Sequence, residues 1–206
     1  MSAETGRIEA FSDGVFAIAI TLLVLELKVP PTGNVRLASA LFNQWPSYAA
    51  FTLSFAFIGI MWINHHRLFT HIRRSSNTLL VLNLLLLFGV TVVPFPTAVL
   101  AAYFRTADAR PAALFYNGTY VVIAILFNIL WQYSVRARLL DPVSTAAAAK
   151  ISRQYSYGPL LYVICLGVAW ISPAVSLALS CALAAFFALP PHLATSLPRP
   201  TRHPAP

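Results

Sequence analysis

The sequence contains few charged residues. Asp, Glu, Lys and Arg make up 10% of its 206 residues, whereas soluble domains average about 25%. Hydrophobic residues account for 58%. One soluble core of this size cannot bury so much apolar surface, so the composition indicates a protein whose solvent is the lipid bilayer.

Motifs for catalysis and metal binding are also missing. The two cysteines, Cys165 and Cys181, lie inside apolar runs and match no disulfide framework. His65 and His66 diverge by about 100° on a helix, and no cysteine or carboxylate pair completes a tetrahedral set with them. Because the nucleophile elbow, the glycine-rich phosphate loop and paired carboxylates are absent too, we expect no metal, no cofactor and no enzymatic activity.

The basic residues indicate a membrane topology. The net charge is +8, but the positive residues lie between apolar runs and not along one stripe, which argues against a nucleic-acid partner. With the N-terminus inside, ten of the fourteen Lys and Arg residues are cytoplasmic. These ten are Arg7, Arg67, Arg73, Arg74, Arg136, Arg138, Lys150, Arg153, Arg199 and Arg202. This excess predicts a multi-pass protein of the cytoplasmic membrane with both termini inside the cell.

Six apolar stretches approach the roughly 20 residues that a spanning helix needs. They are Ile8–Leu27, Trp45–Ile63, Leu79–Tyr103, Ala112–Tyr133, Tyr157–Ile171 and Pro173–Leu189. We therefore predict an all-α transmembrane domain of six helices over residues 1–189. The proline-rich and polar residues 190–206 are expected to form a disordered tail.

Prolines and tryptophans refine these boundaries. The last two stretches are short and meet at Ser172, with Pro159 and Pro173 expected in the first turns of their helices. The run from Pro94 to Pro96 should kink or break the third span. All four tryptophans lie near span ends, where indole rings favour the membrane interface. They are Trp45, Trp62, Trp131 and Trp170.

The first span carries ionisable residues that are costly in a membrane, at about 2.5–3.5 kcal/mol each near its centre. It lacks a signal-peptide cleavage site, so we expect it to remain in the mature protein. We interpret Glu9, Glu26 and Lys28 as snorkelling at the span ends. Asp13 lies deeper and predicts a buried polar network. If the first three helices pack at their cytoplasmic ends, His65 and Asn83 can reach Ser12 and Asp13.

The opposite side of the first span is apolar. At about 100° per residue, Ile18, Leu22 and Leu25 fall within a stripe of about 60°, with Thr21 on its flank. Asp13 points nearly the opposite way. Taken alone, this stripe is compatible with contact to lipid, to a protein core or to a pore.

Several of these residues belong to a longer pattern. The run Arg7-Ile8-Glu9-Ala10-Phe11-Ser12-Asp13 resembles the Arg-x-x-x-Phe-Ser-Asp signature of the transmembrane protein 175 family of lysosomal and prokaryotic potassium channels. The resemblance extends through His65-x-Arg67-Leu68-Phe69, Asn83 and Pro94-Phe95-Pro96, and covers about the first half of the chain.

The resemblance implies a homotetramer of six-helix subunits whose first helix lines the pore. The channel would favour potassium over sodium weakly to moderately, without a filter of backbone carbonyls. Ile18 would form the gate, Thr21 an ion-coordinating layer, and Leu22 and Leu25 further apolar layers. The residues expected to hold the pore helix in place are Arg7, Phe11, Ser12, Asp13, His65 and Asn83.

Two other hypotheses remain open at this point. Asp13 and His65 are residue types that relay protons, so a proton- or cation-coupled transporter is the first alternative. The second is a membrane scaffold or lipid-interacting protein without transport activity.

For the channel, the expected partners are other copies of the chain, the bilayer, and potassium and other monovalent cations.

Overall fold

The computed structural model describes residues 3–31 and 36–188, and the regular structure within them is helical. The elements are α1 (Ala3–Leu22), a 3-10 turn (Leu23–Glu26), α2 (Leu37–Asn43), α3 (Trp45–His71), α4 (Asn77–Val92), α5 (Pro94–Tyr103), α6 (Ala109–Arg136), α7 (Pro142–Ile171) and α8 (Pro173–Ala188). The all-α prediction is confirmed for these residues. The predicted tail, residues 190–206, lies outside them.

Four stretches of the described chain are long and apolar enough to cross a membrane. They are Thr5–Glu26, Trp45–His71, Asn77–Tyr103 and Ala109–Arg136. Two shorter apolar helices, Tyr157–Ile171 and Pro173–Ala184, follow. The first four predicted spans are therefore confirmed in place, and the count of six remains a prediction.

The third of these stretches is divided at Val93, where α4 ends and α5 begins. Pro94 is the first residue of α5, a position at which the missing N–H of proline costs no hydrogen bond. The break predicted from Pro94 and Pro96 is thus confirmed. It brings Thr97 within 2.7 Å of the Ser54 hydroxyl on α3, in the buried interior.

The start of α7 differs from the prediction. The helix begins at Pro142 and not near Tyr157, so Pro159 lies inside it. Pro173 does begin α8, as predicted. Residues 142–156 are small and polar and form no apolar run, so a rule based on span length omits them. They are helical because Asp141 caps the first turn by accepting a hydrogen bond from the Ser144 N–H.

Packing against α6 also supports this half of α7. Trp131 on α6 donates its indole N–H to the Ser152 hydroxyl at 2.8 Å. The expectation that Trp131 lies at the membrane interface is therefore wrong, because its ring is fully buried. An indole whose polar N–H has an internal partner is stable inside the protein as well as at a lipid headgroup.

The helices pack around α6, which contacts α4, α5, α7 and α8, while α1 packs against α3 and α4.

The linkers α3–α4 and α6–α7 meet at one end of the bundle. Ile72 and Leu140 form an antiparallel bridge there, and the backbone N–H groups of Arg73 and Arg74 both donate to the carbonyl of Leu139. These bonds hold the ends of four helices together.

Candidate functional site

Helix α1 has one buried face and one exposed face. Phe16 and Ala19 are almost completely buried where α1 packs against α3 and α4, and Leu23 is buried in the 3-10 turn that follows, which contacts α3 and α5. The exposed face repeats every three or four residues, as one side of a helix does. Its members in α1 are Arg7, Ala10, Phe11, Gly14, Ala17, Ile18, Thr21 and Leu22, and the exposed side continues through Val24 and Leu25 in the 3-10 turn to Lys28.

All four residues predicted to line a pore lie on this exposed face. Ile18 and Leu25 are 59% and 60% exposed, and Leu22 is 40% exposed. The hydroxyl of Thr21 donates to the carbonyl of Ile18 at 2.9 Å. The stripe therefore does not belong to the core of this subunit and is available to lipid or to a second copy.

A chain of hydrogen bonds holds the buried face of α1 against the other two helices. The Ser12 hydroxyl donates to the Ile8 carbonyl at 2.8 Å, and it accepts the Asn83 amide N–H at 3.0 Å. The carbonyl oxygen of Asn83 accepts from Nε2 of His65 at 2.8 Å. All three side chains are buried. Of the two contacts expected at Ser12, the structure contains the one with Asn83, and His65 reaches Ser12 only through Asn83.

Because the Asn83 oxygen can only accept, His65 carries its proton on Nε2 in this arrangement. Its other nitrogen, Nδ1, is buried without a hydrogen-bond partner among the described residues. The ring is stacked on Phe69 with the centroids 4.5 Å apart. His65 therefore links helices through one nitrogen and fills apolar space with the rest of its ring.

Asp13 has a different partner from the one expected. Trp62 on α3 donates its indole N–H to the carboxylate at 2.8 Å. The structure therefore joins Asp13 to α3 without a hydrogen bond to His65. In the sequence Trp62 lies less than one turn before His65, a position from which it can also face α1. A tryptophan near the end of a span indicates the membrane interface instead, so the sequence alone does not pair it with Asp13.

Glu9 forms a second contact between α1 and α3. Its carboxylate is 2.5 Å from Nδ1 of His66. The Glu9 side chain is only 7% exposed, and His66 is 53% exposed. The interpretation of Glu9 as a snorkelling residue is therefore wrong. A carboxylate in a buried position needs a partner, and His66 supplies one from the adjacent helix.

The two acidic contacts form a regular ladder. Glu9 and Asp13 are four residues apart on α1, and their partners Trp62 and His66 are four residues apart on α3. Residues spaced in this way lie on the same side of a helix, one turn apart. Two antiparallel helices can therefore make both contacts at one register, which fixes α1 along its axis as well as in rotation.

Comparison with known proteins identifies the family. Residues 7–94 match the family described as the endosomal/lysosomal potassium channel TMEM175. A potassium channel from Chamaesiphon minutus is 50% identical over 192 residues, which are 91% of this chain and 95% of that protein. The chain belongs to the TMEM175 family. A potassium channel from Streptomyces collinus is 45% identical over 206 residues, covering 98% of both chains.

The fold of this TMEM175 family member also agrees with a solved structure. The crystal structure of a lysosomal potassium-selective channel TMEM175 homolog from Chamaesiphon minutus superposes with a TM-score of 0.84. The two chains are 48% identical, and the match covers 91% of this chain and 97% of the other. The family match over residues 7–94 contains every residue of the hydrogen-bond chain and of the acidic ladder.

Two signature residues of this TMEM175 chain lie apart from the buried network. Arg7 and Phe11 are on the exposed face of α1, and the Phe11 ring is 57% exposed. Within one subunit the structure does not bring them to His65 or Asn83. Their role in holding the helix therefore stays a prediction.

No group of three or more His, Cys, Asp or Glu side chains converges within the described part of the chain. Two carboxylates of α1 are in contact with α3, Glu9 with His66 and Asp13 with Trp62. Between Ala10 and Leu25 the exposed face carries apolar side chains, a glycine and one hydroxyl, Thr21, with Arg7 and Lys28 at its two ends.

Proposed function

We propose that the chain is a potassium-permeable cation channel with weak to moderate selectivity for potassium over sodium. The proposal is supported by two relatives named potassium channels, which match this chain along almost its whole length. Four copies assemble around a central axis, and α1 from each copy lines the pore.

The observation that carries this proposal is the division of α1 into an anchored face and an exposed face. Polar side chains tie α1 to α3 and α4, while Ile18 and Leu25 are turned away from the subunit core. A helix fixed on one side and apolar on the other has its exposed stripe available for contact with identical helices. Four such stripes around an axis enclose a narrow apolar conduit.

Ile18 forms the constriction in this proposal. Four branched apolar side chains at one level exclude water when the passage is narrow, and such a constriction gates by dewetting. Leu22 and Leu25 form further apolar layers beyond it. The pore therefore conducts only when these layers separate far enough for a hydrated or partly hydrated cation.

Thr21 supplies the polar layer. Its hydroxyl hydrogen is used by the Ile18 carbonyl, which leaves the lone pairs of the oxygen free to accept. Four such oxygens replace part of the water shell of a cation next to the constriction. A single hydroxyl layer is a weaker discriminator than several rings of carbonyl oxygens, which is why we propose weak to moderate selectivity.

The remaining helices complete the membrane domain. Tyr157–Ile171 and Pro173–Ala184 serve as the fifth and sixth spans, joined by the short turn at Ser172. The bridged linkers that contain Arg73 and Arg138 face the cytoplasm, in accord with the excess of basic residues on that side. Both termini are then cytoplasmic, and the protein resides in the cell membrane.

Potassium flux from proteoliposomes tests the proposal. The variant Ile18→Asn places a polar ring at the constriction, so water enters it; we expect a severalfold higher flux and a lower potassium-to-sodium ratio. Ile18→Leu keeps the site apolar and should retain both properties. Val122→Asn changes an exposed apolar residue of α6 and should also leave the flux unaltered. Equal flux in Ile18→Asn and the unaltered protein would refute α1 as the pore helix.

The same preparation separates the alternatives. A coupled transporter that uses Asp13 and His65 gives saturable flux without single-channel steps, and a scaffold gives no flux at all. Single-channel steps in a planar bilayer, together with four-fold symmetric particles, support the channel. Saturable flux without steps, or the absence of flux, contradicts the channel proposal.

A further inference from the structure

Four arginines cluster at the end of the bundle where two linkers meet. They are Arg73 and Arg74 in the α3–α4 linker, and Arg136 and Arg138 around the end of α6. All four side chains are exposed. We call them the arginine patch. Their proximity is imposed by the backbone, because the N–H groups of Arg73 and Arg74 bind the Leu139 carbonyl at 2.9 and 3.2 Å, next to Arg138.

The acidic residue beside the patch is already engaged. Asp141 accepts hydrogen bonds from the N–H and the hydroxyl of Ser144, each at 2.8 Å. Arg73 faces this carboxylate and contributes to the lowering of its pKa, after the two Ser144 hydrogen bonds. One carboxylate against four guanidinium groups leaves the patch strongly positive.

Arg138 occupies a backbone conformation that rarely suits an arginine. Its φ is 56°, in the left-handed region that favours glycine. It follows the end of α6, where the N–H of Arg138 binds the Val135 carbonyl and the N–H of Leu139 binds the Ser134 carbonyl. This is the Schellman arrangement, in which glycine is the usual residue at the position of Arg138.

The patch also lies at the right depth. Spanning helix α3 ends at His71 and spanning helix α6 ends at Arg136, so both linkers emerge at the same membrane surface. We propose that the arginine patch binds the phosphate of an anionic phospholipid in the adjacent leaflet. Guanidinium groups bind phosphate oxygens in bidentate fashion, and adjacent arginines on joined linkers can share one headgroup.

Only the identity of the leaflet rests on the proposed function, which makes it the cytoplasmic one. The patch is more than the charge excess that sets topology, since topology depends on the number of basic residues in a loop, whereas here backbone hydrogen bonds join two basic linkers. A lipid held here would bridge the α3–α4 and α6–α7 linkers and reinforce the Ile72–Leu140 bridge.

Lipid binding to the full-length protein in an uncharged detergent tests this inference. Phosphatidylglycerol and phosphatidylcholine are titrated separately, and bound lipid is counted by native mass spectrometry. We expect retention of phosphatidylglycerol alone, weakened about fivefold by the loss of one arginine. Arg138→Gly removes the charge and relieves the backbone strain, so its Tm should not fall while its lipid affinity does. Arg74→Gln tests the other linker.

Arg110→Gln, at the opposite end of α6 and also exposed, is the matched control and should retain full affinity. Unchanged phosphatidylglycerol binding in both Arg138→Gly and Arg74→Gln would overturn the inference, as would an equal loss in Arg110→Gln. Binding is measured without ion flux, so a failed channel assay and a failed lipid assay are distinguishable.

A second part of the experiment distinguishes a lipid phosphate from a soluble phosphate. Glycerol 1-phosphate and inorganic phosphate carry the same anionic group without acyl chains. We expect neither to displace phosphatidylglycerol at millimolar concentration, because neither carries the acyl chains that keep a lipid in the detergent micelle around the protein. Displacement by either would show a site for a soluble anion and would refute the lipid assignment.

Discussion

The Asn83 amide donates a hydrogen bond to the Ser12 hydroxyl across 3.0 Å, and this contact joins α4 to α1 inside the bundle. The same amide group accepts from His65 on α3. One side chain therefore holds three helices in register. Apolar packing alone permits neighbouring registers, because membrane helices gain little from hydrophobic contact that lipid does not also provide.

Asn83→Leu should destabilise the protein by about 1–3 kcal/mol, because it leaves the buried Nε2–H of His65 without its acceptor. Thermal unfolding in detergent, followed by circular dichroism, measures the change. Thr91→Val on the same helix is the control, since the Thr91 hydroxyl is exposed and donates to the Phe88 carbonyl of its own helix. Equal losses in the two variants would contradict a special role for Asn83.

The Trp62–Asp13 contact should appear as coupling in a double-mutant cycle. Trp62→Phe removes the indole N–H, and Asp13→Ala removes the acceptor. We expect an interaction free energy of about 1 kcal/mol, typical of a hydrogen bond to a charged group between membrane helices. The comparison cycle pairs Trp62→Phe with Asp108→Ala at the far end of the bundle, where effects should add. Additive effects in both cycles would argue against the contact.

Two glycines should respond to alanine in opposite ways. A Cβ on Gly89 of α4 would lie 3.0 Å from Cγ1 of Ile123 on α6, a side chain that is itself buried. Gly89→Ala therefore overpacks this interface, and we expect a loss of about 1–3 kcal/mol. Gly118→Ala on α6 meets nothing within 4 Å and should stabilise by about 0.5–1 kcal/mol through backbone entropy. Thermal unfolding distinguishes the two, and a gain in both would show that Ile123 can move aside.

Asp141 should give the stability a pH dependence. The N–H of Ser144, followed by its hydroxyl, lowers the pKa of Asp141. Because the folded-state pKa lies below the unfolded-state value, the contribution is present above the unfolded value and is lost as the pH falls through the folded pKa. Asp141→Ala should lower the Tm at neutral pH, and the difference should narrow in strongly acidic buffer. A difference that is independent of pH would contradict this linkage.

Asp108 offers a matched control for that titration. It too precedes a helix, α6, but its side chain makes no capping hydrogen bond. Asp108→Ala should therefore shift the Tm less than Asp141→Ala at neutral pH. A comparable shift would assign the effect to the helix dipole in general and not to the Ser144 contacts.

The features that depend on spacing along one helix could be predicted from the sequence. The 100° rule places Ile18 and Asp13 on opposite sides of α1, and the structure has Ile18 exposed and Asp13 in contact with α3. Contacts between helices are harder to predict from the sequence. The His66–Glu9 pair depends on the register of α1 against α3, which local periodicity does not determine. The predicted first-turn position of Pro159 is wrong, because α7 begins earlier, at Pro142. Its polar first half is stabilised by a cap and by α6, and not by an apolar run of its own.

The polar contacts of α1 with α3 and α4 described above are confined to its first half, at Glu9, Ser12 and Asp13. Further along, Phe16, Ala19 and Leu23 are buried apolar side chains that pack against the bundle. Apolar surfaces can slide past one another without breaking directional bonds, whereas the hydrogen bonds of the first half fix it against α3 and α4. The Gln44 amide, directly before α3, also donates to the Lys28 carbonyl at 2.8 Å, three residues beyond Leu25. Opening of the constriction at Ile18 is therefore expected to bow the apolar middle of this segment between two fixed ends.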